Sequence, residues 1–234
     1  KKIKKIKKVS KIVNEKIANK LLSKLNFELT NDQKKSLVEI NSDLKSKSKM
    51  FRLLQGDVGS GKTIVSLITA LNVIKSNFQV ALLAPTEILA RQHYSLAKKI
   101  FPKNITIELL SSKSENIKKK KIINDLKINK IQMIFGTHAI FQNKIMFSNL
   151  GYIIIDEQHK FGVRQRKLLS DKGGNNCDVL LMSATPIPRT LTMSIYGDMD
   201  VSIIREKPNH RKDIKTYSKL ESKINDIIGF VKKE

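Results

Sequence analysis

The residues best suited to chemistry run from Gly56 to Thr63 as GDVGSGKT, which satisfies the pattern GxxxxGK[ST]. Gly56, Gly59 and Gly61 let the backbone close around phosphate oxygens with no Cβ in the way. The amides of the intervening Asp57, Val58 and Ser60, and the positive end of a following helix, then face the same anion. Lys62 is placed to neutralise β and γ phosphates, and Thr63 offers a hydroxyl to a magnesium ion that keeps several of its waters. The chemistry implied is the binding of Mg-ATP.

A second constellation, GYIIIDEQH at residues 151–159, delivers two adjacent carboxylates from the end of an apolar run. On their own, neighbouring acids also suit a solvated turn. Downstream of a phosphate-binding loop they divide into a metal carboxylate, Asp156, and a general base, Glu157, that orients the attacking water. Lys62, Asp156 and Glu157 are therefore the catalytic candidates.

These groups need a scaffold that brings distant loops to one edge. From Phe51 onward short apolar runs bounded by turn residues alternate with helical patterns: FRLLQ, QVALLAP, ITIELL, IQMIFGT, GYIIIDE, DVLLMSAT and VSIIRE read as strands. Such alternation predicts an α/β fold of the P-loop NTPase kind, an open and mostly parallel sheet with helices on both faces. Ligands in such sheets lie at the carboxyl ends of the strands, where the distinctive residues fall. Ahead of the sheet, residues 1–25 read as one basic helix with Val9, Ile12, Val13, Ile17, Leu21 and Leu22 as its apolar stripe. A second helix is expected from Glu28 to Leu44, capped by Thr30 or Asn31. The start on lysines without Met reads as an internal cut. Residues 26–208 form the nucleotide-binding domain on this reading, and 209–234 the start of a truncated second domain.

The chain has 234 residues and 40% apolar content, enough for a sizeable core. No apolar run is long enough to span a bilayer, so a cytoplasmic protein is expected. A net charge of +24 suits a polyanion partner, yet nearly all of it is lysine in a chain also rich in Ile and Asn, as an AT-biased genome writes onto any surface. The single cysteine, Cys177, cannot form an internal disulfide and reads as a partly buried packing residue.

DEQH at 156–159, SAT at 183–185 and APTEILARQ at 84–92 resemble motifs II, III and Ia of superfamily 2 helicases, and Leu29-Thr30 followed by Gln33 resembles their adenine-reading motif. LLQGDVGSGKT, APTEILARQHY, FGTHAIFQ, DEQHKFGVRQR, MSATPIPRTLTMSIYGDMDVSII and PNHRKDI are similar to the RecG family of bacterial DNA helicases, over about residues 25–217. Mfd-like translocases, which strip complexes from duplex DNA, share much of this. The resemblance implies the first of two RecA-like motor domains, using ATP and Mg²⁺ and acting on branched DNA in repair and recombination. It implies that Gln33 contacts the adenine with Phe27 packed near the base, and that Gln158, His159, Ser183 and Thr185 couple nucleotide state to movement. Pro85, Thr86, Ser111, Ser112, Gly136, Thr137 and His138 would touch one DNA strand through its phosphates. Such proteins also carry a wedge domain, and a second RecA-like domain with arginine fingers. Neither lies in these residues, so the 234 residues alone are expected to bind ATP, without a membrane and as a monomer, but to hydrolyse it slowly. A nucleotide- and DNA-binding module with little catalysis is the alternative.

Among the remaining residues, His93 reads as a partly exposed helix residue and His210 as linker. Arg164 and Arg166 suit either phosphate contact or a domain interface. Pro186 and Pro188 stiffen the turn after the SAT strand. The KKKK run at 118–121 reads as a solvated helix face.

Overall fold

The computed structural model describes residues 6–14, 21–23, 28–111, 115–157, 174–185, 199–206 and 220–231. Among the described residues seven strands make up one sheet: β1 (Phe51–Gly56), β2 (Gln79–Leu83), β3 (Ile107–Leu110), β4 (Met133–Gly136), β5 (Leu150–Ile155), β6 (Asp178–Ser183) and β7 (Asp200–Ile204). Every pairing is parallel, in the order β3-β4-β2-β5-β6-β1-β7. The helices are α1 (Asn31–Lys45), α2 (Lys62–Lys75), α3 (Glu87–Ile100), α4 (Asn116–Lys127) and α5 (Ile224–Val231). None of the described helices is long and apolar enough to cross a membrane.

β2, β5 and β6 are buried along their whole length because both faces of the sheet are covered. Leu54, Leu82, Ile154 and Leu180 pack under α1, α2 and α3, while their neighbours Leu53, Leu83, Ile155 and Leu181 pack with Ile122 and Leu126 of α4. The period-two alternation of the strands thus sorts one sequence into two cores. α2, which leaves the glycine loop, is buried almost throughout. Its Thr69 hydroxyl lies 3.1 Å from that of Tyr152 in β5, tying the two halves of the nucleotide motif from below. Complete burial raises the Tyr152 phenol far above its ordinary value.

α1 begins where expected. Thr30 caps it by accepting from Gln33 N, and the Gln33 side chain accepts in return from Thr30 N, a reciprocal capping box. The lysine run of α4 is mainly exposed, as a solvated face should be. Cys177 is fully rather than partly buried.

The expected helix over residues 1–25 is not what residues 6–14 form. They run extended along the amino-terminal side of the sheet, and Lys7 bridges to Ser48 in antiparallel fashion. Their amides are spent on the body of the protein: Lys8 N donates to Lys47 O, Lys11 N to Leu44 O and Val9 N to Asn176 Oδ1. Val9 and Ile12 of the supposed apolar stripe are exposed, whereas Lys8 and Lys11 are buried. The cause is Asp178 at the head of β6, whose carboxylate takes both ammonium groups at 2.7 Å and the Met50 amide at 2.7 Å. A charge-assisted site of that strength outweighs the modest helix preference of a short, repulsive lysine run.

Candidate functional site

The carboxyl ends of β1, β5 and β6 carry the nucleotide motifs. After β1 the chain turns through Gly59 and Gly61, with φ of 77° and 90°, into α2. A Cβ on Gly61 would stand 2.3 Å from Gln33 Nε2, and one on Gly56 2.6 Å from Ser60 Oγ. The loop therefore requires glycine for both conformation and space. Asp57 Oδ1 accepts from the Val58 amide at 2.8 Å, which shapes the exposed tip. Lys62 Nζ rests on the carbonyl oxygens of Gly56 and Asp57, at 2.5 and 3.0 Å. Burial lowers the Lys62 pKa, and the charges of Asp156, Glu157 and Asp57 pull it back up.

Gln33 is buried, and its amide donates to Ser60 O at 2.7 Å while its oxygen serves the Thr30 cap. It props the glycine loop, so contact with a base has to use the second N–H or lone pair. The expected partner near the base, Phe27, lies outside the described residues. The Ser60 hydroxyl is buried with no hydrogen-bond partner among the described residues, which suits a loop built to surround an anion with donors.

Asp156 and Glu157 follow β5. Asp156 Oδ1 accepts from Glu157 N at 3.0 Å, and Glu157 adopts φ of 50°, a left-handed conformation uncommon outside glycine. No group of three or more metal-binding side chains occurs among the described residues. Thr63 and Asp156 instead offer the sparse oxygen set that suits magnesium held mainly by phosphates and water. At the end of β6, the Ser183 and Thr185 hydroxyls lie 3.0 Å apart. Gln158, His159, Arg164, Arg166, Pro186, Pro188 and His210 lie outside the described residues.

The candidates for a DNA strand come together on the other half of the same edge. Ser111 follows β3, Gly136, Thr137 and His138 close β4, and Pro85 and Thr86 follow β2. These three strands are adjacent, so the edge divides into a β3-β4-β2 half and a β5-β6-β1 half. Main-chain bonds weld the loops together: Ala84 N donates to Gly136 O at 2.9 Å and Asp156 N to Leu83 O at 2.8 Å. Thr86 caps α3 by accepting from Leu89 N, and Ser111 donates to Glu87 Oε2 at 2.8 Å. Thr86 and His138 are exposed, whereas Ser111 and Thr137 are buried. Ser112 lies outside the described residues.

His93 corrects its sequence reading. It is buried, and its Nε2 lies 2.8 Å from Asp156 Oδ2. Nothing local marks that role, because the contact depends on β2 and β5 being neighbours, which sequence spacing does not reveal.

A family model described as DEAD/DEAH box helicase matches residues 30–194. The chain is 49% identical to the ATP-dependent DNA helicase RecG of Aquifex aeolicus (strain VF5), over 95% of this chain and 28% of that protein. It is 44% identical to the RecG of Thermotoga maritima, over 97% of this chain and 29% of the relative. It thus spans about three tenths of the length of these relatives. Among solved structures, that of RecG bound to a three-way DNA junction superposes with a TM-score of 0.85 at 40% identity, covering 98% of this chain and 31% of that one. A DEAD box protein from Methanococcus jannaschii shares the fold, with a TM-score of 0.65 at 20% identity over 95% of this chain and 62% of that one.

Proposed function

Because this chain belongs to the DEAD/DEAH box helicase family, we propose that it is the ATP-binding half of a RecG-type motor, which hydrolyses ATP to move along DNA and remodel branched structures. The observation that supports this reading is that the glycine loop and Asp156 lie on one part of a sheet edge and the candidate strand contacts on the adjoining part, joined by the Asp156 N to Leu83 O bond. The likeness to a RecG solved on a three-way DNA junction supports branched DNA over the stripping of complexes from duplex.

In this reading Lys62 exchanges the carbonyls of Gly56 and Asp57 for phosphate oxygens, and the loop amides and Ser60 hydroxyl surround the rest of the anion. Thr63 and Asp156 hold magnesium. When bound, magnesium spreads the charge that develops on the phosphate oxygens. Glu157 orients the attacking water and takes its proton. Gln158, His159, Ser183 and Thr185 pass the nucleotide state onward. Pro85, Thr86, Ser111, Ser112, Gly136, Thr137 and His138 meet the DNA backbone, as stepping along any sequence demands contacts that carry no base information. Ser111 reaches a phosphate by releasing Glu87. An arginine from a second RecA-like domain completes the transition state, and a wedge domain supplies the preference for branches. The protein works as a monomer in the bacterial cytoplasm.

Lys62→Ala in the full-length protein is expected to lower DNA-stimulated ATP hydrolysis by on the order of 10²-fold or more. Stimulated turnover that survives the substitution would show that this loop is not the nucleotide site.

A further inference from the structure

The two halves of the edge meet between β2 and β5, where Asp156 N donates to Leu83 O. α3 springs from that same junction. Its cap is Thr86 on the strand-facing loop, and seven residues on, close to two turns or ~10 Å along the axis, it presents His93 beside Asp156. One carboxylate oxygen is held by the Glu157 amide and the other by His93, so the Asp156 side chain is fixed from two elements. The roles assigned above leave His93 unused. A buried imidazole placed on a carboxylate donates through its Nε2–H tautomer and sets the orientation of its partner.

We propose that His93 is a positioning residue that fixes Asp156 in its metal-holding orientation and, through α3, makes that hold respond to a nucleic-acid strand at Pro85 and Thr86. The inference rests on Asp156 being the metal carboxylate. Loss of such an outer partner typically weakens metal affinity 10- to 100-fold. Binding at the cap end of a rigid helix displaces His93 with it, which is the physical route of coupling.

The experiment uses full-length protein with a non-hydrolysable ATP analogue, and follows Mn²⁺ binding by electron paramagnetic resonance with and without DNA. His93→Met keeps the bulk but removes the donor, whereas His93→Gln reaches as far as Nε2 and keeps it. Expected for His93→Met is Mn²⁺ affinity at least about 10-fold weaker, and unresponsive to DNA. The wild type and His93→Gln should both show a DNA-dependent change of about fivefold or more. Should His93→Met fail to fold, His93→Asn, whose shorter amide falls short of Asp156, replaces it. Wild-type Mn²⁺ affinity in His93→Met, equal losses in the Met and Gln variants, or a wild-type affinity indifferent to DNA would each overturn the proposal. Asp156→Asn separates the two levels: if it leaves Mn²⁺ affinity intact, the metal-site reading itself fails. If it abolishes binding while His93→Met does not, only the role of His93 fails.

Discussion

Replacing Asp178 by Asn should cost this domain about 4 kcal/mol. The carboxylate is fully buried and sets its one negative charge between the Lys8 and Lys11 ammonium groups, whose side chains have no exposed surface. Asn matches it in shape but removes the charge, leaving two buried cations facing an amide. Keeping both charged with no counter-charge between them, held only by the carbonyl oxygens of Asp43 and Asn176, costs ~3–5 kcal/mol. Shedding one proton at pH 7.5 costs about 1.36 × (10.4 − 7.5), or ~4 kcal/mol, for an ordinary lysine. It costs less for Lys8, whose pKa burial already lowers. Peeling residues 6–14 away forfeits their bonds to Lys47, Leu44, Asn176 and Ser76, each worth ~1 kcal/mol. The three escapes are of similar size, so none rescues the variant cheaply. Urea unfolding of the 234-residue chain should show a midpoint lowered at nearly unchanged slope, and protease should cleave first within residues 6–14. A triple variant, Lys8→Met, Lys11→Met and Asp178→Asn, should regain most of the loss, because no charge is left behind and the Asn oxygen still accepts from Met50 N. A loss below about 1 kcal/mol for Asp178→Asn would refute this account of the buried triad.

Gly61→Ala should weaken nucleotide binding and cost ~1–3 kcal/mol of stability, since it meets a φ of 90° and the Gln33 amide at 2.3 Å. Titration of a fluorescent ATP analogue checks the loss of affinity, and urea unfolding the loss of stability. Burial pushes the Cys177 thiol up to about 12 from 9.0. At pH 8 its thiolate fraction is therefore about 10³ lower than that of a free thiol. A chromogenic disulfide reagent should label it only after denaturation, and prompt labelling of the native protein would contradict its burial.

The features legible in the sequence are those written in contiguous residues. The glycine loop, the strand that delivers Asp156 and Glu157 and the Thr30 cap each need only a few neighbours in the chain, and the structure places them as read. What escaped depends on partners far along the chain. Lys8 and Lys11 find Asp178 about 170 residues away, and no local pattern announces a buried lysine. The spacing of Val9, Ile12 and Val13 that suggests a helix arises in a segment whose backbone is claimed by α1 and by the loop before β6. His93 escaped for the same reason, since its contact follows from strand order. Gln33 was recognised by its place in a motif, yet its hold on the Ser60 carbonyl came from the three-dimensional arrangement.

The extended segment 6–14 has a mechanical consequence. It is pinned at Lys8 and Lys11 to the head of β6 and bridged at Lys7 to Ser48, just ahead of β1. Tension applied at residue 6 is therefore borne in shear by a buried ionic rivet at the trailing edge of the sheet. It does not run as slack into the strand that ends in the glycine loop. Load entering through this segment would reach the domain at the amino-terminal ends of β6 and β1, on the side of the sheet away from the loops that carry Lys62 and Asp156.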